Sequence, residues 1–263
     1  MKPQIIAFEN PPVNEVVVST YFDPPLSDFR NEHVGLFWGE IKEEFPEVSQ
    51  QIPVRFAPEV IDNEFPMPRY WFISQNGINL IQIQQNAFMF NWRRRDEEKY
   101  PRFHRTIKPT FDKYYGIFSQ FVRTQISDVD PTIDRCELAY INTVESFDFW
   151  KGLQNSTNVI PSFSILDPGI SDAEAQGFNC NYIYTVETDL QINIGIRAIT
   201  NAQQPGSPVL IFEIRAIGSF GGVSKPATDD WFVRAHEAIK SCFVGMTSSE
   251  IQNRYWKPVK ETL

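Results

Sequence analysis

The chain has little of what enzymes use. Three histidines and three cysteines stand among its 263 residues. His33, His104 and His236 form no HExxH-like pair, and His236-Glu237 lacks a second ligand four residues on, so the sequence carries no metal-binding pattern. Cys136, Cys180 and Cys242 are odd in number and far apart, with no metal-ligand spacing. They read as reduced thiols of a cytosolic protein rather than as a disulfide framework. No serine sits in a G-x-S-x-G elbow, and no cysteine has a neighbouring histidine to activate it. The carboxylates form no acid/base pair: Glu43-Glu44 reads as a helix surface and Asp229-Asp230 as a helix cap. No catalytic residue, metal or cofactor is therefore assigned.

Long apolar runs are also missing. No stretch approaches the roughly 20 residues of a membrane helix, and MKPQIIAFENPP lacks the apolar core of a signal peptide. A soluble, cytoplasmic protein with no membrane association is expected. A net charge of -9 argues against general nucleic-acid binding, because phosphate neutralisation leaves a basic footprint.

Aromatics are plentiful. With 42% apolar residues and 22 phenylalanines, the chain has material for a full core, and its length suits one domain over residues 1–263. Asn14 to Phe22 is a β-branched strand between Pro-Pro pairs. Ser27 offers an N-cap to a helix with apolar groups at Phe29, Leu36, Phe37, Ile41 and Phe45, stopped by Pro46. Residues 50–68 read as an extended surface connection. Three strands then follow closely, Tyr70 to Ser74, Asn79 to Gln84 and Ala87 to Trp92, the first two joined by the hairpin signal Asn76-Gly77. A long helix carries Phe103, Ile107, Phe111, Tyr114, Phe118, Phe121 and Val122 on one stripe, with Pro109 as a potential kink.

The second half reads as a strand over Asp134 to Val144, a short helix over Phe147 to Leu153, and a long loop from Asn155 to Ala175. Strands follow over Phe178 to Glu187, Gln191 to Thr200 and Val209 to Gly218, the last two flanking the hairpin loop NAQQPGSP. A helix capped by Asp229 or Asp230 comes next, then a capping box, Thr247 to Glu250, opening a C-terminal helix over 247–257. Both halves, 14–126 and 134–245, thus read strand, helix, three strands, helix. The expected class is α+β: two pseudo-repeated β-α-β-β-β-α halves forming a twisted antiparallel sheet with long helices on one face. A TATA-binding-protein-like saddle has that plan, and a helix-grip fold is the alternative.

Candidate binding residues concentrate around Arg93-Arg94-Arg95. Between Arg93 and Lys108 lie seven Lys or Arg against three acids, beside Trp92, Tyr100, Phe103 and His104. Arginines among aromatics hold phosphates, form protein-interface hot spots, or simply make a solvated turn neutralised by Asp96, Glu97 and Glu98. Gln82, Gln84 and Asn91 alternate with large apolar residues; they line a polar pocket or form the wet outer face of a sheet. The candidate ligand- or partner-binding set is Gln82, Gln84, Asn91, Trp92, Arg93, Arg95 and Tyr100. The stretch Gly218 to Lys225 has a phosphate loop's context, but Pro226 and Asp229-Asp230 oppose that, so it reads as a flexible connection.

The runs PPVNEVVVSTYFDP, HVGLFWGEIKEEFP, PRYWFIS, LIQIQQNAFMFNWRR, YPRF and HEAIKSCFVGMTSSEIQNRYWKP resemble an uncharacterised prokaryotic family of about this length with a sporadic distribution. The resemblance covers nearly the whole chain, and LIQIQQNAFMFNWR followed by YP is its most specific part. It implies one cytoplasmic domain and, from the patchy distribution, a mobile or defence-associated gene; it brings no activity. The expected function is a non-enzymatic binding or regulatory protein with a protein partner. The alternative is a nucleotide or small-molecule sensor or enzyme with a phosphate- or carboxylate-binding site near Arg93-Arg95. An exposed edge strand from either half would support a homodimer.

Overall fold

A computed structural model describes residues 6–54, 67–145, 147, 149–166, 169–171, 175–200 and 208–260. Among the described residues the fold is mixed α+β, with one large antiparallel sheet and five α-helices. In chain order the elements are β1 (Ile6–Phe8), β2 (Val13–Phe22), α1 (Asn31–Ile41), β3 (Glu47–Gln51), β4 (Arg69–Ile73), β5 (Asn79–Gln84), β6 (Ala87–Arg93), α2 (Lys108–Gln125) and β7 (Ile133–Glu145). There follow α3 (Ser156–Val159), β8 (Gly177–Glu187), β9 (Leu190–Thr200), β10 (Pro208–Val223), α4 (Asp229–Met246), α5 (Ser249–Ile251) and β11 (Pro258–Lys260). Nine strands form the main sheet in the order β3-β4-β5-β6-β2-β7-β10-β9-β8, and β1 pairs with β11 separately. Among the described residues, no helix is long and apolar enough to cross a membrane.

The chain packs as two compact units, one of residues 15–138 and 217–235, the other of residues 1–14, 139–216 and 236–263. In the first, strict alternation sorts the side chains of β2 to β6. Phe72, Ile81, Ile83, Phe88, Phe90 and Trp92 share one face with Val16 and Val18, as the antiparallel registers require. That face is covered by α1 and α2. Phe37 of α1 sets its ring edge-on to Phe72, Phe118 and Phe121 at 5.6–5.7 Å. Phe88 meets Phe111, Tyr115 and Phe118 of α2 at 5.2–5.9 Å. The stripe anticipated along the long helix is this buried face: Phe103, Ile107, Phe111, Tyr114, Phe118, Phe121 and Val122 are all buried.

Pro109 acts differently from a mid-helix kink. It occupies the first turn of α2, where its missing N–H costs nothing, and the residues before it, Phe103–Ile107, form a π-turn closed by Lys108 N–H on the Phe103 carbonyl. The first helix begins later than Ser27 suggested. Its N-terminus is capped by His33, whose Nδ1 accepts the Arg30 N–H at 3.0 Å, so this histidine serves the backbone. Residues 47–51, partly read as connection, are the edge strand β3, paired with β4. The rest of that connection, 55–66, lies outside the described residues, as does the hairpin loop over 201–207.

In the second unit, β10 alternates cleanly, burying Leu210, Phe212, Ile214 and Ala216. Phe212 packs on Phe243 of α4 at 5.8 Å, and Phe243 packs on Phe8 and Trp256 at 5.6 and 5.0 Å. Among the described residues, the helix expected over Phe147 to Leu153 is absent: Phe147 and Trp150 bridge each other as a tight turn, and the helical residues come later, at Leu153–Asn155 and in α3. The aromatic spacing there serves a cluster of Phe147 and Phe149 on Tyr255, at 4.7 and 5.6 Å, rather than a helix face. The expected capping box does not form: Ser248, not Thr247, is the N-cap, its Oγ accepting the Ile251 N–H at 3.3 Å, while Thr247 Oγ1 donates to the Phe243 carbonyl at 2.7 Å.

The glycine-rich stretch after β10's core is also strand, continuing to Val223. Gly222 takes φ 93°, and a Cβ there would sit 3.1 Å from Thr132 Cγ2. Its glycines answer a backbone and packing demand of the sheet.

Candidate functional site

The face of β2 to β6 opposite the helices carries the polar residues singled out in the sequence. Trp71, Gln82, Met89 and Ser19 form one cross-strand row, and Ile73, Leu80, Asn91 and Val17 the next. Gln82, Gln84 and Asn91 are only 4–5% exposed, so this face is neither an open pocket wall nor a wet surface. Apart from the buried Ser19 hydroxyl, which has no partner among the described residues, its polar groups satisfy one another. Trp71 Nε1 donates to Gln82 Oε1 at 2.9 Å, Gln82 Nε2 to Asn91 Oδ1 at 2.7 Å, and Asn91 Nδ2 to Glu15 Oε1 at 2.6 Å.

Direction along this ladder is fixed by its ends. Indole N–H can only donate and an ionised carboxylate can only accept, so both amides between them have one allowed orientation. Gln84 does another task. Its Oε1 accepts the Val54 N–H at 3.0 Å and its Nε2 donates to the Val54 carbonyl at 3.1 Å. One side-chain amide thus mimics a strand residue and pins the chain after β3 over the sheet. Val54 packs there against Tyr21, Ala87 and Met89.

The ladder ends at charge. Glu15 is paired across the strands with Arg93, and the charge of Arg95 acts on Arg93 from just beyond the strand. Burial lowers the affinity of the Arg93 guanidinium for its proton, the Arg95 charge adds to that, and Glu15 works against it. Arg93 Nε is buried and makes no hydrogen bond among the described residues. Arg95 lies at the β4-β5 hairpin, where its Nε approaches the carbonyl of Gly77 at 3.4 Å. Gly77 has φ 69°, which the hairpin needs and which glycine supplies at no steric cost. Asp96, next to Arg95, also adopts positive φ, at 47°, a conformation aspartate tolerates in turns. Burial also lowers the proton affinity of Arg94.

Trp92 and Tyr100 fall on the other side. Trp92 shares the helix-facing register of Phe88 and Phe90, is 3% exposed, and meets Tyr100 edge-on at 5.8 Å. The structure therefore brings Gln82, Asn91 and Arg93 to one face with Arg95 at its rim, gives Gln84 a backbone partner, and puts Trp92 in the core.

A second polar cluster escaped the sequence reading. Lys108 Nζ donates to Asp112 at 2.7 Å and to Asp229 at 2.8 Å. Lys225 Nζ donates to Asp112 at 2.9 Å and to Asp229 at 2.6 Å. Two ammoniums and two carboxylates thus alternate in a neutral ring. Lys225 also lies 5.3–5.8 Å from the ring centres of Phe111, Tyr115 and Phe232. The lysine side chains are 13–14% exposed, which makes the pairing obligatory. The signal was there in part, since Lys108/Asp112 and Lys225/Asp229 are both i,i+4 pairs. Lys108 accordingly belongs to this ring and not to the basic patch after β6.

Burial tends to raise Asp229, but hydrogen bonds from Lys108 and Lys225 outweigh it and hold the carboxyl below its ordinary value. Burial tends to lower Lys108, yet its bonds to Asp112 and Asp229 raise it overall. Nearby, burial pushes the Cys136 thiol up to about 12, against a hydrogen bond from Thr228. Such a thiol is protonated at neutral pH and is a poor nucleophile. His236 is buried with its Nδ1 at 3.0 Å from the Tyr140 hydroxyl, in which either group can be the donor.

Fold and site together define a class: an α+β protein with a large antiparallel sheet, one face of which carries a buried amide ladder ending in arginines. No family model, curated protein or solved structure matches the chain, so the assignment stops at that class.

Proposed function

We propose that this is a non-enzymatic binding or regulatory protein that acts through a protein partner, in the cytoplasm of a prokaryote and as part of a mobile or defence-associated system. The observation that carries the reading is the Arg93–Arg95 end of the amide ladder. Arg93 is partly stripped of water, its Nε has no hydrogen bond among the described residues, and a second arginine pushes against its charge. An arriving carboxylate would relieve both costs through charge-assisted hydrogen bonds. The rigid, fully bonded ladder behind it keeps the guanidinium from relaxing away. Hot-spot arginines in protein interfaces have this character.

The same chemistry supports a second reading, a nucleotide or small-molecule sensor with a phosphate or carboxylate at Arg93-Arg95. The two separate by experiment. Tagged wild-type protein, purified from its host, retains a stoichiometric protein partner, and R93E/R95E, folded by circular dichroism, does not. A clean protein whose melting temperature rises with a nucleotide would replace the first reading with the second.

Two finer structural readings belong here as proposals. The chain is one domain, since β7, β10 and α4 each have residues in both compact units. Its halves are a pseudo-repeat, supported by a strand order in which β2 neighbours β6 and β7 neighbours β10. In each half, the first strand then lies beside the last.

A further inference from the structure

The strand β8 ends the nine-stranded sheet, and among the described residues no strand pairs with its outer edge. Edge strands of soluble proteins are normally blunted by shortness, proline, or lysine. The other edge, β3, is five residues long, carries Glu47 and is followed by Pro53. Neither shortness, proline nor lysine protects β8, whose ladder departs from regularity only in a bulge between Thr185 and Glu187. It has eleven residues, GFNCNYIYTVE, with no proline, no lysine and a single charge at Glu187. Tyr182, Ile183, Tyr184 and Val186 are 44–67% exposed. From its pairing with β9, Phe178, Cys180, Tyr182 and Tyr184 share the face of Ala198, Ile196, Ile194 and Ile192.

We propose that β8 pairs with β8 of a second copy of this chain, antiparallel and edge to edge, to make a homodimer. The inference does not depend on the Arg93–Arg95 reading. A two-fold axis normal to the sheet keeps each face on its own side, so it can pair only residues of like parity. The ladder bulges between Thr185 and Glu187, and an axis at Tyr182 uses the regular run Asn179 to Thr185 before it symmetrically. Tyr182 then faces Tyr182 and Cys180 faces Tyr184 on one side of the sheet. Asn181 faces Ile183 and Asn179 faces Thr185 on the other.

The charge pattern fits this occupant. In that register each Glu187 lies beyond the regular run, at the far ends of the interface, and the two carboxylates never meet. Apolar and aromatic partners face one another, the arrangement that stabilises cross-strand pairs. The four exposed side chains offer on the order of 400 Å² per copy, roughly 800 Å² for two, before the backbone ladder is added. That is the small end of specific interfaces, so the dimer is reversible and concentration-dependent.

The test uses purified full-length protein, with no partner. In sedimentation equilibrium, wild type is expected to shift with concentration from 30.5 kDa towards twice that mass. Tyr182 sits on the axis, so Y182K brings two ammoniums face to face and should weaken self-association by about tenfold or more. Its circular dichroism should stay unchanged, because the side chain is half exposed. A second variant reports the register. Directly opposed residues lie 4.5–5.5 Å apart at Cα, within disulfide reach. Y184C should therefore give a diamide-induced, covalent dimer that C180S/Y184C does not, since residues 180 and 184 of one strand are too far apart to bridge. Wild type that stays at 30.5 kDa at 100 micromolar scale, or a Y184C dimer that forms equally without Cys180, would overturn the proposal.

Discussion

At Gln82 a single side chain holds three strands in register. It takes the indole N–H of Trp71 from β4 and gives its own amide hydrogen to Asn91 on β6. Gln82→Leu keeps the volume but leaves a donor and an acceptor behind in a dry face. The expected loss is about 1–3 kcal/mol, seen as a lower urea midpoint with unchanged slope. At Cys136 the prediction is chemical. With its thiol pushed up to about 12 and fully buried, iodoacetamide at pH 7.5 should leave it unmodified in the native protein and label it only in denaturant. Mass spectrometry of the Cys136 peptide checks this, and rapid native labelling would show an opening the structure lacks.

Among the elements, α2 carries the most. Phe118 touches Phe22, Phe29, Phe37 and Phe88, at 5.2–6.1 Å between ring centres. Phe118→Ala would leave a cavity among these rings and cost about 3–5 kcal/mol by thermal or urea unfolding. The start of α4 is held to the start of α2 by the lysine-aspartate ring. Asp229 has a folded value below its ordinary 3.8, so its contribution is present above that pH and is lost as pH falls through the lowered folded value. Lys108 has a folded value above 10.5, so its contribution is full below 10.5 and is lost as pH rises through the raised value. The ring therefore stabilises between those limits. Asp229→Asn should cost on the order of 1 kcal/mol at pH 7, discounted because the carboxylate is half exposed. The gap from wild type should close as pH drops below the folded value of Asp229, and a gap that persists in acid would point to packing instead.

For the molecule as a whole, the prediction concerns binding. R93E/R95E should abolish retention of the partner while lowering the melting temperature by only a few degrees. The penalty is not zero, since Arg93 stands opposite Glu15 and reversal places two acids together. A collapse of the fold would make these arginines structural. How much of this was legible varied with distance along the chain. The strand over Asn79 to Gln84, the Asn76-Gly77 turn and the buried stripe of α2 could be read directly, because period 2, period 3.6 and positive φ are local demands. The helix expected at Phe147 to Leu153 failed because aromatic spacing there serves contacts with Tyr255, about a hundred residues away in sequence. The cap at His33 was hidden because histidine rarely does that work.

The sequence by itself determined the class, the order of most elements, the two faces of Asn79 to Gln84 and the buried stripe of the long helix, since alternation and stripe follow from backbone geometry acting on neighbours. It also put the amides in the right strands, while the arginines, read as following the strand, begin within it, β6 ending at Arg93. Only the tertiary structure decided what they do. Asn91 meets Glu15 across 76 residues, Gln84 meets Val54 across 30, and Lys108 meets Asp229 across 121. Those pairings depend on strand order and on which helix ends lie together. The cost of burying each polar group without its partner is what makes them specific.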